Sequence, residues 1–388
     1  MEYKRLGDIC EIVSGGTPKT TISEFWNGDY DWITQAELNA DSYIVNSSCR
    51  KVTKLGIEKS GLNSFPVGTV MLSSRAPIGK VAIAGKEMYC NQGFKNFICN
   101  DELINKYLFW FLKGKTEYLN SLGRGATFKE LSKDIIGNVK IPLPDKNMQM
   151  QIVKKLEKIK KMIMLRNQQI NLLDELVRAR FVEMFGDMLL NSMEWPEVKL
   201  EILADVVSGI TKGRKIRESN LIEVPYMAVS NVKEGYIDWT KVKTIMATEQ
   251  EIEQYRLRSK DVLMTEGGDP DKLGRGAIIE EPLENCIHQN HIFRVRLNRA
   301  VVIPEFFEEY LQHQKAKRYF IACAKQTTGI ASINMKQLRA LPVMIPPIEL
   351  QNQFADFVTE VDKSRLQIQK SLEKTQELYD SLMQKYFG

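Results

Sequence analysis

A chain that starts the same helix twice has few folds open to it. "IPLPDKNMQMQIVKKLEKI" (141–159) runs from a proline-marked extended stretch into apolar residues at helical spacing, and "MIPPIELQNQFADFVTEV" (344–361) does so again. Pro144 answers Pro346, Gln149 and Gln151 answer Gln351 and Gln353, Glu175-Leu176 answers Glu377-Leu378, and Phe185-Gly186 answers Phe387-Gly388, all at an ungapped offset of 202. A repeat of this length sets the architecture before any local reading does. Upstream the copies match less closely. "LGDICEIVSGGTP" from Leu6 answers "LEILADVVSGITK" from Leu200, "VGTVMLSS" (67–74) answers "SKDVLMTE" (259–266), and "IGKVAI" (78–83) answers "LGRGAI" (273–278). There the offset drifts, so the helical parts are locked in length and the globular parts are not.

Each helical part carries apolar residues at 4-3 spacing. The first has Ile152, Leu156, Ile159, Ile163, Ile170, Leu173, Val177 and Met184, interrupted by Arg166 and Arg180. The second has Phe354, Val358, Val361, Ile368, Leu372, Tyr379, Leu382 and Tyr386, interrupted by Arg365 and Thr375. Such a seam, held over five heptads in each copy, predicts a coiled coil. Asp145 suits an N-cap, Pro347 a first turn, and Gly186 a left-handed end. Lys146–Gly186 carries nine basic and four acidic residues, and Ile348–Gly388 five and seven, so the opposite net charges favour pairing within one chain. Packing of each helix on its own globe is the alternative. Only "DMLLNSME" (187–194) joins the first helix to the second globe at Trp195. That short link makes the second helix start near the end of the first and run back, antiparallel. About 40 residues at ~1.5 Å each give a rod of roughly 60 Å, a span of under ~20 base pairs at ~3.4 Å per step.

The expected fold class is therefore α+β: two similar globular domains and two long antiparallel coiled-coil helices in a pseudo-two-fold tandem repeat. The expected boundaries are 1–144 for the first globe, 145–187 for its helix, 188–194 for a linker, 195–347 for the second globe and 348–388 for its helix. The chain of 388 residues is long enough for this, and its net charge of +5 permits nucleic-acid binding without requiring it. Six scattered cysteines with no C-x-x-C pair suit a reduced, cytoplasmic protein, and no apolar run is long enough to cross a bilayer.

The order globe, helix, globe, helix resembles the specificity subunit of type I restriction-modification enzymes. So do "VSGGTPKT" (13–20) followed by "EFWNGDYDWITQAEL" (24–38), "NQGF" (91–94) and the "IPLP" helix start with its glutamines. The resemblance covers essentially the whole chain. It implies two target recognition domains, each reading one half of an interrupted DNA site, and spacer helices that set the gap. It also implies docking of two methyltransferase (modification) subunits, with two motor-nuclease restriction subunits in the full complex. S-adenosylmethionine, ATP and Mg would then sit on partner subunits, with no cofactor in this chain. The second copy departs from the pattern: "SGITKG" (208–213) lacks the Gly-Thr-Pro element, and "HQNH" (288–291) replaces "NQGF". Unlike halves imply an asymmetric DNA site.

Base readout needs donors and acceptors on a protruding element, and phosphate contact needs cations or backbone N–H groups. In the first globe the strand-like "TVML" runs into "SSRAPIGK" (73–80), which offers Ser74, Arg75 and Lys80. Arg75 is the first choice for base contact, because a guanidinium grips guanine with two bonds. Asn91, Gln92, Lys95 and Arg124 complete that set. The second globe offers Thr265, Arg275, His288, Gln289, Asn290 and His291, with Glu266 beside Thr265, and Lys212, Arg214 and Lys215 form a basic cluster suited to phosphates. Asn and Gln in turns also serve as local caps, and the 212–215 cluster also fits a solvated loop. Cys286, His288 and His291 lack an evident fourth metal ligand, so no metal is expected. Trp26, Tyr30 and Trp32 fit a core or brace better than a base-stacking platform.

The chemistry of an enzyme is missing. The sequence has no G-x-x-x-x-G-K-[ST] loop, no Asn-Pro-Pro-aromatic segment and, with three histidines, no evident nucleophilic triad. "GDPDKLGRG" (268–276) has Pro-Asp without the acidic-x-Lys element of a restriction nuclease core. The expected role is a non-catalytic DNA-binding subunit. Turnover by the purified chain would point instead to an independent nuclease or methyltransferase, and failure to bind any duplex at low salt to a scaffold that never reads DNA.

Overall fold

The structure, a computed structural model, describes residues 2–124, 129–214, 220–268, 273–327 and 330–388. The chain forms two compact units, residues 1–167 with 370–388, and residues 168–369. Two 40-residue helices, Lys146–Phe185 and Ile348–Phe387, each contribute a segment to both units.

In the first unit a five-stranded sheet runs in the order Cys10–Ser14, Phe94–Cys99, Val70–Ser73, Val81–Ala84, Ile44–Val45. Its last pair is parallel and the others antiparallel. A three-stranded sheet (Arg50–Val52, Trp26–Ile33, Tyr89–Cys90) stands beside it, and a ribbon of Tyr3–Arg5 with Lys140–Pro142 closes the globe next to the helix start. The core lies between the larger sheet and the helix Asn105–Gly114, whose residues Tyr107 to Leu112 are all buried.

The second unit repeats this plan. A four-stranded sheet runs Ala204–Ser208, Ile292–Leu297, Val262–Thr265, Gly276–Ile278, with a three-stranded sheet of Lys243–Ala247, Ile222–Met227 and Ile287–His288. Its closing ribbon is Glu197–Lys199 with Pro342–Met344. A third sheet of Gly267–Gly268, Ile330–Ser332 and Lys325–Thr327 extends what the first unit keeps as two isolated bridges, Arg75 to Glu130 and Glu130 to Arg124. Tyr226 takes the place of Trp32: the Trp32 indole donates to the Gly16 carbonyl at 2.9 Å, and the Tyr226 hydroxyl donates to that of Ile210 at 2.8 Å.

The helices pair antiparallel in each unit. In the first, Ile152, Val153 and Leu156 share a core with Tyr379, Leu382, Tyr386 and Phe387. In the second, Val177, Phe181 and Phe185 share one with Phe354, Val358 and Val361. Every apolar seam residue predicted from the 4-3 spacing is buried or half-buried. The polar interruptions find partners in place, although the Nε atoms of Arg180 and Arg365 are buried without one among the described residues. Arg166 donates to the Ser371 carbonyl at 2.8 Å, Arg365 pairs with Asp174 at 2.7 Å, and the buried Thr375 hydroxyl returns to the Ser371 carbonyl at 2.7 Å. Asp145 caps the first helix through Met148 N–H at 2.9 Å, and Gly186 ends it at φ +77°. Pro347 stands one residue before Ile348, where its carbonyl accepts the Gln351 N–H at 3.1 Å.

The repeated glutamines explain themselves. Gln149 and Gln351 are both fully buried at the first turn of their helices. The Gln149 amide oxygen accepts from Ile104 N–H at 2.9 Å while its nitrogen donates to the carbonyls of Glu102 (2.9 Å) and Pro144 (2.8 Å). Gln351 does the same with Ile303 N–H (2.9 Å), Val301 (3.1 Å) and Pro346 (2.8 Å). Each clasp joins a globe to the helix that follows it. Gln149→Leu strands three buried main-chain groups and is expected to destabilise the first unit by about 3 kcal/mol. The check is the denaturant midpoint, with Gln351→Leu producing a matching loss in the second unit.

Candidate nucleic-acid interface

The predicted site residues of the first unit gather where the strand Val70–Ser73 leaves its sheet. Ser74 forms an elbow: its N–H donates to the Gly93 carbonyl at 2.7 Å, and its own carbonyl accepts from Leu131 N–H at 2.8 Å. Its side chain is fully buried and donates to Gly93 as well, at 2.9 Å, so the hydroxyl is spent on the elbow. Arg75, next along, is half-buried and places Nε 3.0 Å from a Glu130 carboxylate oxygen. The other Glu130 oxygen lies 3.8 Å from Lys95 Nζ. Lys95 is buried, and desolvation holds its pKa below the usual lysine value while Glu130 pulls the other way. Arg124 is exposed and exchanges main-chain hydrogen bonds with Glu130 at 3.1 and 2.9 Å.

Gln92 is exposed and accepts from the Thr17 hydroxyl. Asn91 uses its side-chain oxygen to accept Gly93 N–H at 3.1 Å, a local turn bond. Lys80 is turned toward the Gln35 carbonyl at 2.9 Å. The elbow thus brings Arg75, Lys95, Arg124 and Glu130 together, with Gln92 nearby in sequence and exposed. Glu130 is the member that sequence reasoning missed, since nothing local in "FKELSK" marks it.

The second unit has the same elbow with different side chains. Glu266 N–H donates to the His291 carbonyl at 3.0 Å, and the Glu266 carbonyl accepts from Ile333 N–H at 2.9 Å. Glu266 therefore stands where Ser74 stands, and His291 where Gly93 does. Gln289 N–H bonds the Met227 carbonyl as Asn91 N–H bonds that of Ile33, at 3.0 and 3.1 Å. "QNHI" (289–292) is accordingly the counterpart of "NQGF", one residue on from the "HQNH" alignment drawn from the sequence. The strands decide this register, because Ile210 N–H takes the His288 carbonyl as Gly16 N–H takes that of Cys90.

His291 is exposed and its Nδ1 lies 2.5 Å from the Glu266 carboxylate. Asn290 Nδ2 is 3.3 Å from the other ring nitrogen, and its carbonyl accepts from the Ser208 hydroxyl at 2.6 Å. Gln289 accepts Val229 N–H at 3.3 Å. Thr265 is buried in its strand, and Arg275 is half-buried in the loop that returns to it.

His288 is fully buried: its Nδ1–H donates to the Ile292 carbonyl at 3.0 Å, and burial lowers its pKa to about 4. It is an interior residue in this arrangement. Cys286 is buried too, and no group of metal-ligating side chains occurs among the described residues.

Of the basic cluster, Lys212 is exposed, and Lys215 lies outside the described residues. Arg214 turns inward instead, gripping Glu251 with Nε at 2.6 Å and Nη2 at 2.5 Å. That grip holds the Glu251 carboxyl below the usual range and neutralises the guanidinium. The tryptophans are a brace. Trp32 is buried, Trp26 meets it edge-on at 4.9 Å, and the Arg50 guanidinium stacks 3.8 Å over Trp26. Tyr30, by contrast, is exposed.

The comparisons with known proteins agree with one another. Residues 1–175 and 193–378 match the family described as the type I restriction modification DNA specificity domain. The chain is 26% identical to the type I restriction enzyme MjaIX specificity subunit of Methanocaldococcus jannaschii, across 99% of this chain and 92% of that one. It is 21% identical to the EcoKI specificity subunit of Escherichia coli, across 81% of this chain and 72% of that one. Among solved structures, the type I restriction-modification S subunit from M. genitalium aligns with a TM-score of 0.57 at 17% identity, covering 100% of this chain and 96% of its own. A chain from a study of complex assembly and conformational transition in the type I system aligns at 0.62 and 16% identity, covering 100% and 97%. No described helix is long and apolar enough to cross a membrane. With both copies matched, the chain belongs to the family of type I restriction-modification DNA specificity subunits, which recognise DNA and are not themselves catalytic.

Proposed function

We propose that each unit reads one half of a bipartite, asymmetric DNA site, and that the two long helices fix the gap between the halves. The observation that carries this reading is the duplicated elbow. The main chain at Ser74 and at Glu266 makes the same hydrogen bonds, while the side chains presented there differ: Arg75 and Glu130 in one unit, Glu266 and His291 in the other. One scaffold with two different chemistries suits two different half-sequences. Arg75, Lys95, Gln92 and Arg124 serve the first half, and His291, Asn290, Arg275 and Lys212 the second.

The helices also dock two methyltransferase subunits, and through them two restriction subunits, in the cytoplasm. S-adenosylmethionine, ATP and Mg act on those partners. Exposed apolar side chains on the first long helix support a docking role: Met162, Met164 and Leu165 in the first unit, and Leu172, Leu176 and Val182 in the second. Exposed apolar groups of this size on a charged helix are what a protein partner covers.

The test is a binding assay with duplexes of random sequence, followed by methylation mapping once the methyltransferase partners are added. Phosphate binding by the chain is expected at low salt and should weaken steeply as salt rises. Mapping should then return two fixed half-sequences with a constant gap. A chain that ignores duplex at low salt, or a complex that methylates without sequence preference, overturns the proposal.

A further inference from the structure

We propose that Glu130 is a specificity-determining residue, and that the Arg75–Glu130 pair reads one G·C base pair in the half-site of the first unit. The inference rests on the proposed DNA-reading function. In the major groove guanine offers two acceptors, N7 and O6, and its cytosine partner offers a donor, the N4 amino group. Arg75 engages Glu130 through Nε at 3.0 Å, a contact that does not itself use the edge formed by its two terminal nitrogens. A guanidinium and an acceptor-only carboxylate, side by side, match the acceptor, acceptor, donor row of a G·C edge. An A·T pair breaks the match, because adenine N6 sets a donor where the fork needs a second acceptor.

Folding does not depend on this ion pair. Main-chain bridges already hold Glu130 to Arg75 and to Arg124, and both side chains are roughly two-fifths exposed, at 42% and 38%. Exposed pairs contribute little to stability. The carboxylate has a second effect: it offsets Arg75 and lies against Lys95, so the elbow is poor at gripping phosphate alone. The second unit has Gly267 and Ser332 at the positions of Arg75 and Glu130, and its carboxylate contact lies one residue earlier, with Glu266 2.5 Å from the imidazole of exposed His291.

The experiment is selection of bound duplexes from a randomised pool by the full chain in complex with its methyltransferase partners, run for the native protein, Glu130→Gln and Arg75→Lys. The native complex is expected to fix a G·C pair that becomes degenerate, at the same position, in both variants. Glu130→Gln should also bind random duplex more tightly, with the salt slope steeper by about one unit. The half-site of the second unit, read from the same molecules, reports that the variant is folded. If the native complex selects a site and Glu130→Gln selects the same one with unchanged salt slope, Glu130 is only an ion-pair partner and the proposal fails. Degeneracy appearing at an A·T position also overturns it. A native complex with no preference at all overturns the DNA-reading function itself.

Discussion

Exchanging residues 195–347 for the equivalent segment of another family member is expected to replace one half of the recognised DNA sequence and leave the other half unaltered. The segment holds the whole second elbow, Thr265 to Arg275 and Gln289 to His291. It also holds both strands of the closing ribbon, Glu197–Lys199 and Pro342–Met344, so the exchanged globe brings its own closure. The apolar surface it must present to the retained helices is compact: Phe306 meets Phe181 at 5.4 Å and Phe185 at 4.8 Å between ring centroids. A donor segment with an aromatic at that position should pack. Methylation mapping of DNA exposed to the complex checks the outcome. A change in both halves would contradict independent reading.

Adding four residues to each long helix is expected to widen the gap between the half-sequences by about two base pairs, from ~6 Å of added helix at ~1.5 Å per residue. The insertions belong after Asn167 and after Gln369. Arg166 donates to the Ser371 carbonyl at 2.8 Å, so those two points lie close together across the antiparallel pair and the added turns face each other. Four residues added to one helix alone would shift its seam against its partner; added to both, they set matching stutters opposite each other and leave the flanking seams paired. The same mapping reads the result. Unchanged spacing with altered half-sequences would show that the helices do not act as a ruler.

The long helices were legible because their signals are local. Asp145, Gly186 and a 4-3 pattern with few polar interruptions all lie within the segment they describe, and the short link before Trp195 limited the second helix to an antiparallel course. The Trp195 indole in fact donates to the Phe185 carbonyl at 2.9 Å. The elbows were legible only in outline. Sequence pointed to Arg75 and to Arg214, but their partners lie far away along the chain. Glu130 and Glu251 reach them through the fold, and the two outcomes differ: Arg75 stays at the surface, while Arg214 is drawn into a two-bond grip. The one-residue offset between "NQGF" and "QNHI" was hidden for a related reason. Strand register there is set by main-chain bonds to Ile33 and Met227, and these leave no mark on side-chain identity.

The glutamine clasp has a consequence for how such proteins diversify. Among the described residues, Gln149 and Gln351 bond only to main-chain N–H and carbonyl groups, and to no side chain of the globe they hold. A joint of that kind is indifferent to the amino acids on the far side, provided the backbone follows the same path. Genetic recombination can therefore graft a foreign globe onto a resident helix without a compensating substitution at the glutamine joint, provided the donor keeps an aromatic where Phe306 meets Phe181 and Phe185, and new specificities can arise in a single crossover.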